Sequence, residues 1–226
     1  MTICFSIKKP NFIVTGTDVL AENTITHNSM AYKKFLVSVQ RNFVVLISGS
    51  FNIDASKPEP RALLINRMDK IVTKNDTMLA VAKKLSQLIN GTYSKTDIVK
   101  YHLQICGFDG KTPHIYATSY EVGDSIDDCN FCLSGAPNIL DYGKTNEAKS
   151  SIAILKQMVP YPDIIQDYVR KFMGRAIEYE NKIAKEKGEK PKTGGGINIV
   201  TVYPNGLAWV QPRYDSTDDP YKIGLR

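Results

Sequence analysis

The stretch Met1-Thr2-Ile3-Cys4-Phe5-Ser6-Ile7-Lys8-Lys9-Pro10-Asn11-Phe12-Ile13-Val14-Thr15-Gly16-Thr17-Asp18 decides the fold class. Ile3 to Lys8 is β-prone, Lys9-Pro10-Asn11 is a turn, and Phe12 to Thr17 is a second strand ending at Asp18. Two more strands are expected after a polar loop from Glu22 to Ser29. Lys34 to Val39 is the third, and Phe43 to Ile47 is the fourth, ending in Ser48-Gly49-Ser50.

The period then changes. Leu63, Leu64, Ile65, Met68 and Ile71 give Arg61 to Val72 a helical pattern. Asn75-Asp76-Thr77 offers an N-cap for a helix over Met78 to Leu88, with Gly91 as its stop. Strands return at Val99 to Cys106 and His114 to Thr118, around the turn Asp109-Gly110. Another short strand, Cys129 to Leu133, ends at Ser134-Gly135. Helices resume near Ile139. Asp163 to Lys185 carries a continuous apolar stripe, from Ile164 and Ile165 to Ala176 and Ile177. Ile197 to Tyr203 and Leu207 to Val210 form a closing hairpin around Pro204-Asn205-Gly206.

The predicted fold class is therefore α+β, with two mainly antiparallel sheets face to face and helix pairs outside. The 226 residues are expected to form one domain, 1–226, with 213–226 as a polar tail. At this size roughly 70% of the unfolded surface can be buried. Hydrophobic residues make up 42% and charged residues 23%, the balance of an ordinary globular protein. There is no membrane-spanning run and no signal-peptide pattern, so a cytoplasmic location is expected. The net charge of +6 raises the question of a nucleic-acid partner. However, the densest basic stretch, Lys182 to Lys192, is interrupted by Glu186 and Glu189 and reads as a solvated helix end. Cys129 and Cys132 have metal-ligand or redox spacing. No second pair follows, and His27, His102 and His114 complete no ligand set, so strand positions and reduced thiols are expected, with no cofactor.

Thr2 is the candidate nucleophile, although many chains begin Met-Thr and the residue taken alone reads equally as an ordinary start. With Met1 removed it holds a hydroxyl and a free α-amine whose ordinary pKa is about 7.7–8.0, so one residue supplies nucleophile and base. Asp18 and Lys34, at strand ends, are the candidate charge pair beside it. Gly49 and Gly135 are candidates for close backbone approach to a substrate carbonyl. Ser134 is a candidate hydrogen-bond partner of the Thr2 amine.

In order and approximate spacing, these segments resemble the proteasome β-type family of N-terminal-nucleophile hydrolases, including its bacterial HslV- and Anbu-type relatives. The resemblance rests on Met1-Thr2-Ile3, Gly16-Thr17-Asp18, Lys33-Lys34-Phe35 and Ile47-Ser48-Gly49. It continues through His102 to Asp109, Pro113 to Tyr116, Leu133 to Pro137, Thr193 to Ile199 and Asn205-Gly206. It covers about residues 1–212. It implies a four-layer αββα sandwich and a threonine peptidase acting on peptides or unfolded proteins. It also implies identical subunits assembled in a ring or stack, with room for an ATPase unfoldase as a further partner. Carried over residue by residue, Thr2 matches the nucleophile, Asp18 the acid, Lys34 the lysine, Gly49 the oxyanion glycine and Ser134 the helper serine. The chain departs from the family at Lys190, where an aspartate is usual; Glu189 or an upstream acid is the candidate substitute. A catalytically silent subunit is the alternative reading. Only Met1 precedes Thr2, as in the bacterial relatives, and Anbu-type members open Met-Thr-x-Cys as this chain does. Leu63, Ile65 and Met68 are expected to lie on outer helices and to favour self-association.

Overall fold

The computed structural model describes residues 2–22, 29–31, 34–38, 41–52, 56–93, 98–119, 126–190 and 193–210. Lys33, part of the loop at 22–29, and the polar tail lie outside the described residues.

The opening hairpin forms as the sequence dictates. Strand β1 (Ile3–Lys9) and strand β2 (Phe12–Asp18) pair antiparallel, with Phe5 opposite Gly16. On the outer side of β1 lies β10 (Phe131–Gly135), with Ser134 opposite Cys4. On the other side of β2 lies β11 (Ile197–Tyr203), which turns back into β12 (Gly206–Val210). This gives a five-stranded antiparallel sheet in the order β10-β1-β2-β11-β12.

The second five-stranded sheet has the order β5-β6-β7-β8-β9, built from Phe35–Val37, Phe43–Asn52, Ile98–Asp109, Thr112–Ser119 and Asp127–Asp128. Its ladders are antiparallel too. Leu20–Glu22 (β3) and Ser29–Ala31 (β4) form a separate two-stranded sheet. These residues flank and partly occupy the segment expected to be loop; three residues a side is too short for a legible alternation.

Side chains on a strand alternate between faces, and the buried clusters follow that rule. Ile3, Phe5 and Ile7 pack with residues of the later helices α3 (Pro137–Lys144), α4 (Asn146–Gln157) and α5 (Pro162–Glu186). The stripe on α5 supplies Ile165, Val169, Phe172, Met173 and Ala176, and the Phe5 and Phe172 rings lie 5.0 Å apart. Val45, Ile47, Leu103 and Ile105 pack with α1 (Pro60–Ile71) and α2 (Met78–Thr92). A third cluster joins the remaining faces of the two sheets, including Cys4, Ile13, Val44, Leu46, Cys106 and Val200. Among the described residues the molecule is mixed α and β, with two five-stranded antiparallel sheets, the small β3–β4 sheet and five helices.

Four expectations change. Gly91 does not stop α2, which runs on to Thr92. A Cβ at Gly91 would meet nothing within 4 Å, and the helix ends where Tyr93 turns extended. Strand β6 continues past Ser48-Gly49-Ser50 because β7 pairs with it as far as Asn52 opposite Ile98. Cys129 precedes β10 rather than lying in it. The helix after Ile139 is two helices, because Thr145 caps α4 by accepting from the Ala148 N–H.

Leu63 and Met68 are not left outside. Both are buried in the cluster with α2, and Ile65 is partly buried against it. Among the described residues the exposed large apolar ones are Leu79, Leu140, Ile154, Val159, Tyr161 and Ile164.

Candidate functional site

Asp18 closes β2 with a carboxylate that is fully buried. A buried charge needs partners, and four donors converge on it. The Thr2 hydroxyl donates to Oδ1 in a short hydrogen bond. The Ile3 N–H and the Lys34 ammonium reach the same oxygen at 2.9 and 2.8 Å. The Gly194 N–H reaches Oδ2 at 3.0 Å. Gly194 belongs to the glycine-rich turn entering β11, and the Val19 N–H donates back to Gly194 O and Gly196 O, at 3.2 Å each. One carboxylate thus ties the start of β1, the end of β2, the entry to β5 and the entry to β11.

Lys34 is as buried as its partner, with 4% exposure. Burial pulls its pKa below the ordinary lysine value, because desolvation penalises the charged form more than Asp18 restores it. Thr2 and Lys34 share Asp18 Oδ1 and are therefore neighbours. A hydroxyl whose proton points at a carboxylate, with an ammonium alongside, is disposed to lose that proton while the resulting oxyanion is stabilised.

The carbonyl of Thr2 accepts from the Ala136 N–H at 3.0 Å, at the start of α3. Here the glycine at 135 is required. A Cβ on Gly135 would overlap the Thr2 carbonyl oxygen. Gly135→Ala should therefore push Thr2 off its place and cost about 1–3 kcal/mol of stability, as overpacking does. Urea denaturation checks this; a variant with parental stability refutes this account of the contact.

Ser134 is buried on β10. Its partners are the Ser48 hydroxyl at 3.1 Å and Gln104 Nε2, which donates to it at 2.9 Å. Gly49 follows Ser48 on β6, opposite Tyr101, within the strand rather than at its end. The structure thus brings Thr2, Asp18 and Lys34 together, and brings Ser134 together with the neighbour of Gly49.

Ser48 and Gln104 were absent from the candidates drawn from sequence. Their signal is a broken pattern. Ser48 falls on the same face of β6 as the buried Val44 and Leu46, and Gln104 on the same face of β7 as the buried Cys106 and Phe108. Polar residues in such rows need a reason.

Cys4 lies close to Lys34 and Asp18, yet burial pushes its thiol up to about 12. It remains protonated near neutral pH and does not compete as a nucleophile. Cys106 is likewise pushed up to about 12 by burial. All four cysteines are free thiols. Among the described residues no group of three or more His, Cys, Asp or Glu side chains could hold a metal ion.

Lys190 is exposed beyond the end of α5, as is Glu189. The buried acid upstream is Glu180 on α5. It is 1% exposed, and neither carboxylate oxygen has a hydrogen-bond partner among the described residues.

No protein-family model matches the chain, and no curated protein does. Among solved structures the chain is similar to an Anbu (Gly-1) mutant from Hyphomicrobium sp. strain MC1. The TM-score is 0.62 at 14% sequence identity, over 98% of this chain and 90% of that one. A likeness at that identity speaks for the fold, which is Anbu-like in its two antiparallel sheets and its helices. Among the described residues no helix is long and apolar enough to cross a membrane.

Proposed function

We propose that this chain is a threonine peptidase of the proteasome-like N-terminal-nucleophile class. Thr2 is the nucleophile once Met1 is removed, and the working form is a self-assembled homo-oligomer. The three buried clusters are read as the interfaces of a four-layer αββα sandwich. The observation that carries the proposal is the Asp18 carboxylate, on which the Thr2 hydroxyl and the Lys34 ammonium meet. In this reading the freed α-amine takes the Thr2 proton, Lys34 stabilises the developing charge, and Asp18 holds both in place. Backbone N–H groups near Gly49 bind the oxyanion, and Ser134 attends the amine. Peptides or unfolded proteins are the substrates.

Intact mass of the purified protein tests the first condition. Loss of one methionine residue is expected, and a retained Met1 sinks the mechanism. An electrophilic peptide probe should then add to the mature chain, with the adduct mapping to Thr2.

The pH profile of kcat/KM should be bell-shaped. On the acid side the rate rises as the α-amine loses its proton, near its ordinary value of about 7.7–8.0. On the alkaline side it falls as Lys34 loses its charge. That fall comes below the ordinary lysine range, because burial lowers the Lys34 pKa. A rate still rising above pH 10 contradicts the role given to Lys34.

The oligomer is tested by light scattering at micromolar protein, where a mass well above the 25.2 kDa chain is expected. A monomeric mass refutes it.

A silent subunit, kept for assembly or binding, is the second reading. The exposed Lys190 favours it, where the family places an acid. Folded, assembled protein with Met1 removed and no Thr2-dependent turnover would select it.

A further inference from the structure

Gln104 sits mid-strand on β7 with no exposed surface. A buried carboxamide must satisfy two donors and an oxygen. Its Nε2 donates to the Cys4 carbonyl at 3.1 Å and to Ser134 Oγ at 2.9 Å. Its Oε1 accepts from Ser6 Oγ at 2.6 Å. The Cys4 carbonyl can only accept, so the amide nitrogen has to face it. That contact settles the orientation of the amide. The second N–H then falls on Ser134.

The far end of the amide is held equally firmly. Ser6 lies 2.9 Å from Thr15 Oγ1 and accepts from the Cys106 thiol at 3.4 Å. Thr15 in turn donates to the Phe5 carbonyl at 3.0 Å. A run of polar contacts links Phe5 O, Thr15, Ser6, Gln104, Ser134 and Ser48 and bridges the two sheets.

A serine hydroxyl has one proton and two acceptor positions. Gln104 fills one acceptor position. The Ser134 proton is therefore directed away from Gln104, on the side where Ser48 Oγ stands at 3.1 Å.

We infer that Gln104 is a positioning residue: through its bond to Ser134 it turns that hydroxyl to donate toward the Thr2 amine and so helps keep the amine neutral. The inference rests on the reading of Thr2 as nucleophile and amine base. An N–H donated to Ser134 weakens it as an acceptor for an ammonium and strengthens it as a donor to a neutral amine. Removing that bond raises the amine pKa.

The test is Gln104→Met, which keeps the volume and removes both donors. Peptide turnover is measured across pH in the mature oligomer, with Thr2→Ala as the blank. The expected result is a kcat lower by about tenfold, within the coupling range of residues sharing one hydrogen-bond network. KM stays near the parental value, and the acid limb of kcat/KM moves to higher pH. Should Gln104→Met fail to fold, Ser6→Ala frees the same amide without touching Ser134 and should move the limb in the same direction. An unmoved limb, a shift to lower pH, or a loss confined to KM or to the yield of folded protein overturns the inference and leaves the function standing. Parent protein with no Thr2-dependent turnover overturns both.

Discussion

Thr2→Ala should abolish the proposed peptide hydrolysis, with a loss on the order of 10⁴-fold or more, and should leave the fold and the proposed oligomer intact. The reason is local. The variant keeps the α-amine and the backbone but has no oxygen to attack with. No neighbour can substitute, because the nearest thiol, Cys4, is held protonated by burial. The structural cost is small. Asp18 loses one donor of four and retains Ile3 N–H, the Lys34 ammonium and Gly194 N–H. The Thr2 carbonyl remains on Ala136. Thr2→Ser, which keeps the hydroxyl, should retain turnover within about tenfold, since a buried methyl is worth only about 1 kcal/mol. Fluorogenic peptides assayed on all three proteins, at matched oligomeric state, give the answer. Undiminished turnover in Thr2→Ala removes Thr2 from the mechanism.

How much of this was legible follows from the range of each interaction. The hairpin β1–β2 and the helix α5 are local patterns, two β-prone runs around the turn Lys9-Pro10-Asn11 and an apolar stripe with a period near 3.6 from Ile164 to Ile177, and the structure builds both. Strands β3 and β4 carry too few residues for a period. The true extent of β6 depends on β7, whose pairing residues lie far along the chain.

The site divides in the same way. Asp18 and Lys34 were singled out by their strand-end positions and by a family resemblance. That they meet on one oxygen is a tertiary fact. The bond from Gly194 to Asp18 spans 176 residues of sequence. The tie from Gln104 to Ser134 joins two sheets. No periodicity announces either; Gln104 and Ser48 each stand where a row turns from apolar to polar, and only their burial singles them out. The acid expected near Lys190 shows the limit from the other side. Counting along the chain leads to the exposed Lys190 and Glu189, whereas burial singles out Glu180, a position no spacing rule selects.

Lys34→Ala should collapse turnover by a factor on the order of 10² or more, the usual scale for losing a positioned acid–base group. The ammonium is 4% exposed and stands 2.8 Å from Asp18, on the oxygen that also holds the Thr2 hydroxyl. Without it the developing oxyanion loses its nearest positive charge, and Asp18 is left buried with less compensation. Removing one partner of a buried pair costs about 3–5 kcal/mol of stability, so urea denaturation must accompany the assay to show that the variant is folded at the assay temperature. The pH dependence separates the two effects. Where the unfolded chain binds more protons than the folded one, stability rises with pH. Lys34, with its folded pKa lowered, makes stability rise between that value and the ordinary lysine value of about 10.4. Turnover falls over the same interval. In Lys34→Ala the contribution of Lys34 to both trends should vanish, while Lys9, also lowered by burial, keeps its own contribution to stability. Lys34→Arg should not restore turnover, because a guanidinium is planar, bulkier and cannot readily give up a proton. Lys33→Ala should be nearly silent, since it is Lys34 that pairs with Asp18. If Lys33→Ala is dead and Lys34→Ala is active, the site must be reassigned by one residue. If both remain active, the charge pair takes no part in the reaction.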